Sequence, residues 1–230
     1  VGLLDADMYG PSVPTLFGIN QPPEMFEENG RQLIKPIEKS GIKLLSIGFL
    51  LQPGQAVAWR GPMISSALRQ FLHDVAWGEL DYLIIDLPPG TGDIHLTLAQ
   101  QFPITGAVIV TTPQEVALAD ARKAISMFNM QGVTVPLLGV VENMSFFVPD
   151  DMPEKKYFIF GSGGGKTLAD ETQIPLLGQI PLVQKIRENA DSGNLEKLQP
   201  AVYNEAFRTF AQNVAQAVAI KNAGMDKKPA

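Results

Sequence analysis

The stretch Leu83-Ile84-Ile85-Asp86-Leu87-Pro88-Pro89-Gly90-Thr91-Gly92-Asp93 constrains this chain more than any other. A short apolar run ends in a carboxylate, a Pro/Gly loop follows, and a second carboxylate closes it. The run reads as a buried parallel strand, because a strand covered on both faces is continuously apolar rather than alternating. Its carboxylate would emerge at the strand's C-terminal edge, where open α/β sheets bind ligands. An Asp there can hold Mg²⁺ through water, and a glycine just beyond lets a backbone N–H approach a terminal phosphate. The alternative is a buried strand followed by an ordinary Asp-containing turn.

A Mg-nucleotide site of this kind also needs a Gly-rich loop whose lysine cradles the phosphates. The nearest match is Phe160-Gly161-Ser162-Gly163-Gly164-Gly165-Lys166-Thr167. The motif requires glycine five positions before the Gly of Gly-Lys-Thr, and Phe160 stands there. A P-loop also opens the first βα unit, whereas this segment follows the Asp86 strand. It is expected to be a turn that starts a short helix over 166–171. The chain opens on Val1-Gly2-Leu3-Leu4-Asp5, already inside an apolar strand. The expectation is that a strand, a P-loop and a helix precede Val1.

Apolar runs alternate with amphipathic segments along the chain, and no repeat is visible. Strands are expected at 1–4, 33–37, 42–47, 82–85, 107–110, 135–141 and 176–180. Helices are expected at 62–77, with Ile64, Leu68, Phe71, Leu72 and Val75 on one face, at 94–101, after 112, and at 200–220. Thr112-Pro113-Gln114-Glu115 has the form of a capping box with Pro at the first helical position. The following helix would turn Ala117, Ala121, Ala124, Ile125 and Phe128 inward. The closing helix would do the same with Tyr203, Phe207, Phe210, Val214 and Val218. Residues 8–31 form a Pro/Gly-rich excursion. This alternation implies an α/β fold, doubly wound, with a mainly parallel sheet and helices on both faces. Residues 1–220 are expected to form one domain and 221–230 a disordered tail.

Composition excludes several function classes. With 230 residues, 45% of them hydrophobic, the chain can bury a sizeable core, and it has no apolar run long enough to span a bilayer. A net charge of −6 argues against a general nucleic-acid binder. The absence of cysteine removes disulfides, thiolate nucleophiles and thiolate metal sites.

Further positions are candidates for chemistry. Asp5 and Asp7 alternate onto one side of the first strand's end, so both can face a shared site; close carboxylates repel, which favours a nearby cation. The alternative is an Asp pair that caps a turn. Asn143 follows Val140-Val141-Glu142, and its amide offers the donor and acceptor that suit a purine edge, or simply forms a turn. Arg60-Gly61-Pro62 either binds an anion or caps a helix. His73 and His95 have no partner cluster in the sequence and read as surface or packed residues.

The chain resembles the Mrp family of MinD/ParA-like P-loop ATPases, which act as iron–sulfur cluster carriers. The resemblance runs through Leu4-Asp5-Ala6-Asp7 with Tyr9-Gly10-Pro11-Ser12, Trp59-Arg60-Gly61-Pro62-Met63 and Trp77–Tyr82 into Asp86–Asp93. It continues at Thr111–Gln114, Val141-Glu142-Asn143-Met144-Ser145, Ile159–Gly161 with Gly163–Gly165, and Gly178-Gln179-Ile180-Pro181. It implies that Asp86 is the Walker B carboxylate acting on Mg²⁺ through water and that Asp5 supports the metal's water shell. It further implies that Asp7 orients the attacking water and that Gly90 meets the γ-phosphate through its backbone. Asn143 would recognise adenine, and the backbone near Pro181 would line the base pocket. A cytoplasmic homodimer with ATP and Mg²⁺ at its interface is implied, serving apo iron–sulfur client proteins, with no nucleic acid and no membrane.

Two departures from the family pattern stand out. The signature P-loop is absent, so these residues alone are expected to bind ATP weakly and to be inactive. The family's Cys-x-x-Cys pair is absent too: the interval 146–157 holds Asp150, Asp151 and Glu154, hard oxygen donors that suit an iron–sulfur cluster poorly. No iron–sulfur ligand is therefore expected among these residues. The expected function is an ATP-hydrolysing assistant of iron–sulfur cluster assembly or transfer. The alternative is a nonenzymatic, nucleotide-gated scaffold without a cluster. A ParA-like positioning switch on DNA or membrane is disfavoured by the acidic balance and by the lack of a basic amphipathic terminal helix.

Overall fold

The computed structural model describes residues 1–51, 61–149, 151–152, 154–195 and 201–225. Trp59, Arg60 and Asp150 lie outside the described residues. The fold is α/β and divides into two compact units: Val1–Leu98 with Lys185–Leu198, and Ala99–Gln184 with Gln199–Ala230. Among the described residues no helix is long and apolar enough to cross a membrane.

In the first unit the elements run β1 (Gly2–Asp5), α1 (Val13–Leu16), β2 (Met25–Glu28), β3 (Arg31–Ile34), β4 (Ile37–Lys39) and β5 (Ile42–Ser46). A single 3₁₀ turn at Ile47–Phe49 follows, then α2 (Gly61–His73), β6 (Leu83–Asp86) and the start of α3 (Asp93–Gln101). β1 is parallel to both its neighbours, β5 and β6, while β4 joins β5 antiparallel. Its central place explains its composition: Leu4 and Asp5 are wholly buried. Val13, Phe17, Ile19, Leu44 and Phe49 form one apolar cluster against Leu3, Leu16, Ile37 and Ile42. That cluster ties the excursion after β1 to the sheet and so fixes the loop that follows Asp5.

Two expected elements differ. The expected strand over 33–37 is split, with β3 ending at Ile34 and β4 starting at Ile37. Pro36 lies between them and cannot donate to a ladder. α2 ends at His73, short of 77. Ile64, Leu68 and Phe71 are buried on its face, but Val75 is buried through a strand-like bridge to Ile34, and Trp77 Nε1 donates to the Phe71 carbonyl at 3.0 Å.

The second unit contains β7 (Ala107–Thr111), α4 (Glu115–Phe128), β8 (Leu137–Glu142), α5 (Gly164–Thr172) and β9 (Leu176–Gln179). After α6 (Gln184–Asp191), most of which belongs to the first unit, α7 (Ala201–Met225) returns to the second. The three strands are parallel with β8 in the middle, five of its six residues buried. α4 buries Leu118, Ala121, Ile125, Met127 and Phe128. Its N-cap is Gln114, which makes no side-chain capping bond, so the expected Thr112 capping box is not formed. Instead Thr112 Oγ1 bonds the Gln114 side chain at 3.3 Å. α7 packs on β9, with Asn213 Nδ2 donating to the Leu177 carbonyl at 2.8 Å. It continues to Met225, through residues expected as the start of a disordered tail; Lys221 and Ala223 are good helix formers and propagate it.

Candidate functional site

The first unit gathers three of the singled-out carboxylates. Asp5 and Asp86 end adjoining strands and are paired in register, and the ladder continues beyond them with the Ala6 amide donating to the Asp86 carbonyl at 2.8 Å. Asp5 is 0% exposed. Its carboxylate accepts from the Asp7 amide at 3.1 Å, the Val13 amide at 3.2 Å and Ser46 Oγ at 2.9 Å. Ser46 sits opposite Asp5 on β5 and was not singled out in the sequence, because 41 residues separate the two. These neutral donors are what permits a carboxylate to be buried here.

Asp7 is half-exposed and accepts from the amides of Tyr9 and Gly10, both at 3.0 Å. It therefore fixes the turn after β1, as the turn-capping alternative requires. Asp86 is treated differently from both. No hydrogen bond or ion pair reaches its carboxylate among the described residues. Asp86 is exposed at the strand end, yet its pKa is raised, first by the partial desolvation of its carboxylate and then by the charges of Asp5 and Asp7. The three carboxylates thus share one field, and a cation placed there would relieve Asp86 most.

The loop after Asp86 presents Gly90 in a left-handed conformation, φ 93°, with open space where a Cβ would stand. Gly90, Thr91 and Gly92 are exposed, while Pro88 is buried. His95, on the first turn of α3, is buried; its pKa is lowered by burial, which outweighs its backbone hydrogen bonds to Gly92 and Pro88. It therefore packs beneath the glycine loop, whereas His73 is exposed.

The donor chemistry can be tested against the groups implied. Hard carboxylate oxygens that lack a cation fit Mg²⁺. Among the described residues no set of three or more His, Cys, Asp or Glu is arranged to hold a metal directly. A magnesium ion would therefore be held mainly through its own waters, as that ion tolerates well. An iron–sulfur cluster does not fit, because the 230 residues contain no thiolate and Asp151 and Glu154 are exposed oxygen donors.

The second unit holds Asn143 and Pro181 on two segments that pair beyond the ends of β8 and β9. The Ile180 amide donates to the Glu142 carbonyl at 2.8 Å, and the Ser145 amide to the Ile180 carbonyl at 3.0 Å. Asn143 Oδ1 accepts the Met144 amide at 2.9 Å, Met144 having φ 54°. Among the described residues no partner engages Asn143 Nδ2, and the residue is half-exposed while Pro181 is buried.

Beneath them lies a residue the sequence did not single out. Glu142, 0% exposed, accepts from Ser145 Oγ, from Gln179 Nε2 at 2.8 Å and from the Gly165 amide at 2.5 Å. That last bond places a carboxylate on the N-terminus of α5, where helix dipole and free amides favour an anion. The Gly-rich turn therefore already has its anion. Lys166 is turned away, paired with Asp170 at 2.6 Å on an exposed face. Residues 160–167 form a helix start, not a phosphate cradle.

The comparisons agree with this architecture. A family model described as ParA, NUBPL iron-transfer P-loop NTPase, matches residues 1–218. An iron–sulfur cluster carrier protein of a Synechocystis species is 52% identical over 194 residues, covering 84% of this chain and 54% of that protein. The chain spans between about half and two-thirds of the length of the curated relatives it matches. A nucleotide-binding protein of Archaeoglobus fulgidus, solved in complex with ADP, is 39% identical with a TM-score of 0.71, covering 86% of this chain and 76% of that one. The septum site-determining protein MinD of Pyrococcus horikoshii, solved with Mg-ADP, has a TM-score of 0.61 at 18% identity, covering 96% of this chain and 85% of its own, and shares the fold. With its paired strand-end aspartates, its glycine loop and a match along nearly its whole length, the chain belongs to the ParA-type family of NUBPL iron-transfer P-loop NTPases.

Proposed function

We propose that this chain is the nucleotide-handling part of a homodimeric, cytoplasmic ATPase that assists iron–sulfur cluster assembly or transfer to apo client proteins. The observation that carries the reading is the in-register pair Asp5 and Asp86 beside the exposed Gly90 loop, with Asp86 held at a raised pKa. The similarity to iron–sulfur cluster carrier proteins and to a nucleotide-binding protein solved with ADP supports it.

In this reading each residue has one task. Asp86 would accept hydrogen bonds from the waters around Mg²⁺, and Asp5, whose oxygens are already engaged by Asp7, Val13 and Ser46, would support the same water shell through its charge. Bound Mg²⁺ supplies charge neutralisation at the β- and γ-phosphate oxygens. Asp7 orients the attacking water, and Gly90, free of a side chain, offers its backbone N–H to the γ-phosphate. Asn143 reads adenine, and the backbone near Pro181 lines the base pocket. Residues 160–167 do not form the phosphate cradle. The cluster is cargo, and its thiolates belong to a client or to another segment.

A second reading has a specific observation in its favour. The chain lacks any cysteine, so a nucleotide-gated scaffold that positions a partner without carrying a cluster accounts for the same site. Phosphate release by the complete protein with Mg-ATP tests the first reading. Asp86→Asn should abolish Mg-dependent hydrolysis and leave the fold intact. Asp7→Ala should retain ATP binding and lose turnover. Parental turnover in Asp7→Ala overturns its role, and no Mg-dependent phosphate release from the parent favours the scaffold.

A further inference from the structure

Glu142 is the one acidic side chain of β8, and it is fully buried. Carboxylates are almost never fully buried without a partner. Here every partner among the described residues is a neutral donor, and the three donors come from three different segments. Ser145 belongs to the loop that carries Asn143, Gly165 opens α5 after the Gly-rich turn, and Gln179 ends β9 two residues before Pro181. The approach of α5 is so close that a Cβ at Gly165 would lie 2.7 Å from Glu142 Cβ.

We propose that Glu142 is the positioning residue of the base pocket: its buried carboxylate locks loop 143–145, the start of α5 and the end of β9 into one scaffold that aims Asn143 at adenine. The inference rests on the reading of Asn143 as the adenine-recognising side chain. Asn143 Oδ1 already accepts the Met144 amide. That bond fixes the amide plane while leaving Oδ1 a second lone pair and Nδ2 both its protons. The plane can then accept from the exocyclic amine of adenine and donate to a ring nitrogen, the complementary pair that guanine's carbonyl edge reverses. Met144 holds a left-handed backbone that a non-glycine residue adopts only when its surroundings impose it. The bonds of Ser145 to the Glu142 side chain and to the Ile180 carbonyl impose it here. Releasing Glu142 frees that turn and lets the amide plane of Asn143 wander.

A neutral glutamine at 142 cannot reproduce the lock. With its oxygen toward Ser145 and Gln179, its NH₂ meets the Gly165 N–H; with the oxygen toward Gly165, its NH₂ meets the Gln179 amide. Equilibrium titration of the complete protein with Mg-ATP, Mg-GTP and Mg-tripolyphosphate tests the proposal. Glu142→Gln should weaken ATP about tenfold, the worth of roughly one lost base hydrogen bond, and leave GTP and tripolyphosphate unchanged. Ser145→Ala removes one arm only and should give a smaller loss of the same preference. It carries the test if Glu142→Gln does not fold. Asn143→Ala supplies the reference for the pocket reading. If Asn143→Ala leaves the ATP-over-GTP preference intact, the pocket reading fails. If Asn143→Ala abolishes the preference while folded Glu142→Gln or Ser145→Ala keeps it, or if tripolyphosphate weakens in step with ATP, the positioning role is overturned.

Discussion

Asp5 and Asp86 are paired across adjoining strands, yet their amide variants should move stability in opposite directions. Asp5 accepts three donors, with Oδ1 taking the Asp7 amide and Oδ2 taking the Val13 amide and Ser46 Oγ. In Asp5→Asn one oxygen becomes an NH₂. With the amide oxygen in the Oδ2 position, the NH₂ confronts the Asp7 N–H; flipped, it confronts Val13 N–H, while Ser46 can turn to accept. Either way one backbone donor near or in the core is stranded, at about 1–3 kcal/mol, and the surviving bonds lose their charge assistance. Relief of the repulsion on Asp86 offsets part of this, leaving a net loss of about 2–3 kcal/mol. With a urea m-value of about 3 kcal/mol/M, the midpoint should fall by about 1 M. Asp86→Asn should do the reverse, by a smaller amount because Asp86 is exposed and screened by solvent: its charged form is penalised by partial desolvation and by Asp5 and Asp7 and gains no donor among the described residues. The sign also sets a pH dependence. A raised carboxyl pKa means that the folded state takes up its proton first, so stability is gained as pH falls toward that pKa, and Asp86→Asn should lack this gain. Urea midpoints of the three proteins decide the matter. An Asp5→Asn midpoint at or above the parent's refutes the reasoning, since repulsion would then outweigh the three bonds.

Gly165→Ala should cost about 1–3 kcal/mol and lower Tm, because the new Cβ lies 2.7 Å from Glu142 Cβ in a packed core; an unchanged melting curve would mean that α5 shifts freely. His95 has a lowered pKa, so the unfolded chain takes up its proton first and the stability it contributes is lost as pH falls through its ordinary value of 6.5; His95→Gln should flatten that part of the stability–pH curve, and parallel curves would refute it. Anaerobic reconstitution of the 230-residue chain with iron and sulfide should leave no stoichiometric cluster by visible absorption and iron counting, because no thiolate is present.

What the sequence made legible was local. β1 and β6 are short apolar runs ended by Asp, with the carboxylates in register, but only β1 is buried as such a run implies: β6 ends its sheet, none of its four residues is buried, and Ile84 is 54% exposed. The apolar face of α2 was visible through Ile64, Leu68 and Phe71. Its end was not, because Val75 continues the helical spacing while pairing as a strand with Ile34. Asn29-Gly30, with φ of 53° and 75°, closes a β2–β3 hairpin inside a stretch read only as a Pro/Gly excursion. That dipeptide is a strong hairpin signal, overlooked because the flanking strands are short and exposed. α6 was missed for lack of a buried face: it has none. At the candidate site the missed residues are those whose partners are remote in sequence. Ser46 meets Asp5 across 41 residues, and Glu142 meets Gly165 and Gln179 across 23 and 37. Only Ser145, three residues on, gave Glu142 a local signal.

Three acidic side chains at strand ends illustrate how the same group is put to different physical uses. Asp5 and Glu142 are fully buried, and each is held by hydroxyl, amide or backbone donors that are neutral. Their charge is thereby spread into the fold, and a cation brought to either would have to displace donors already in place. Asp86 has no such donors among the described residues, yet it shares the field of Asp5 and Asp7. Of the three, it alone gains by a cation's approach without losing a bond. The neighbouring loop matches that demand, since Gly90 and Gly92 are exposed and carry no side chain to fill the space beside the carboxylate. Asp5 acts on Asp86 from a fixed position: the bonds that bury it prevent it from turning away, and in the proposed function its charge would keep Asp86 receptive to a divalent ion. A cationic residue substituted near Asp86 should therefore weaken Mg²⁺ affinity more than removal of Asp7's charge does, because it would satisfy directly the carboxylate that the fold leaves open.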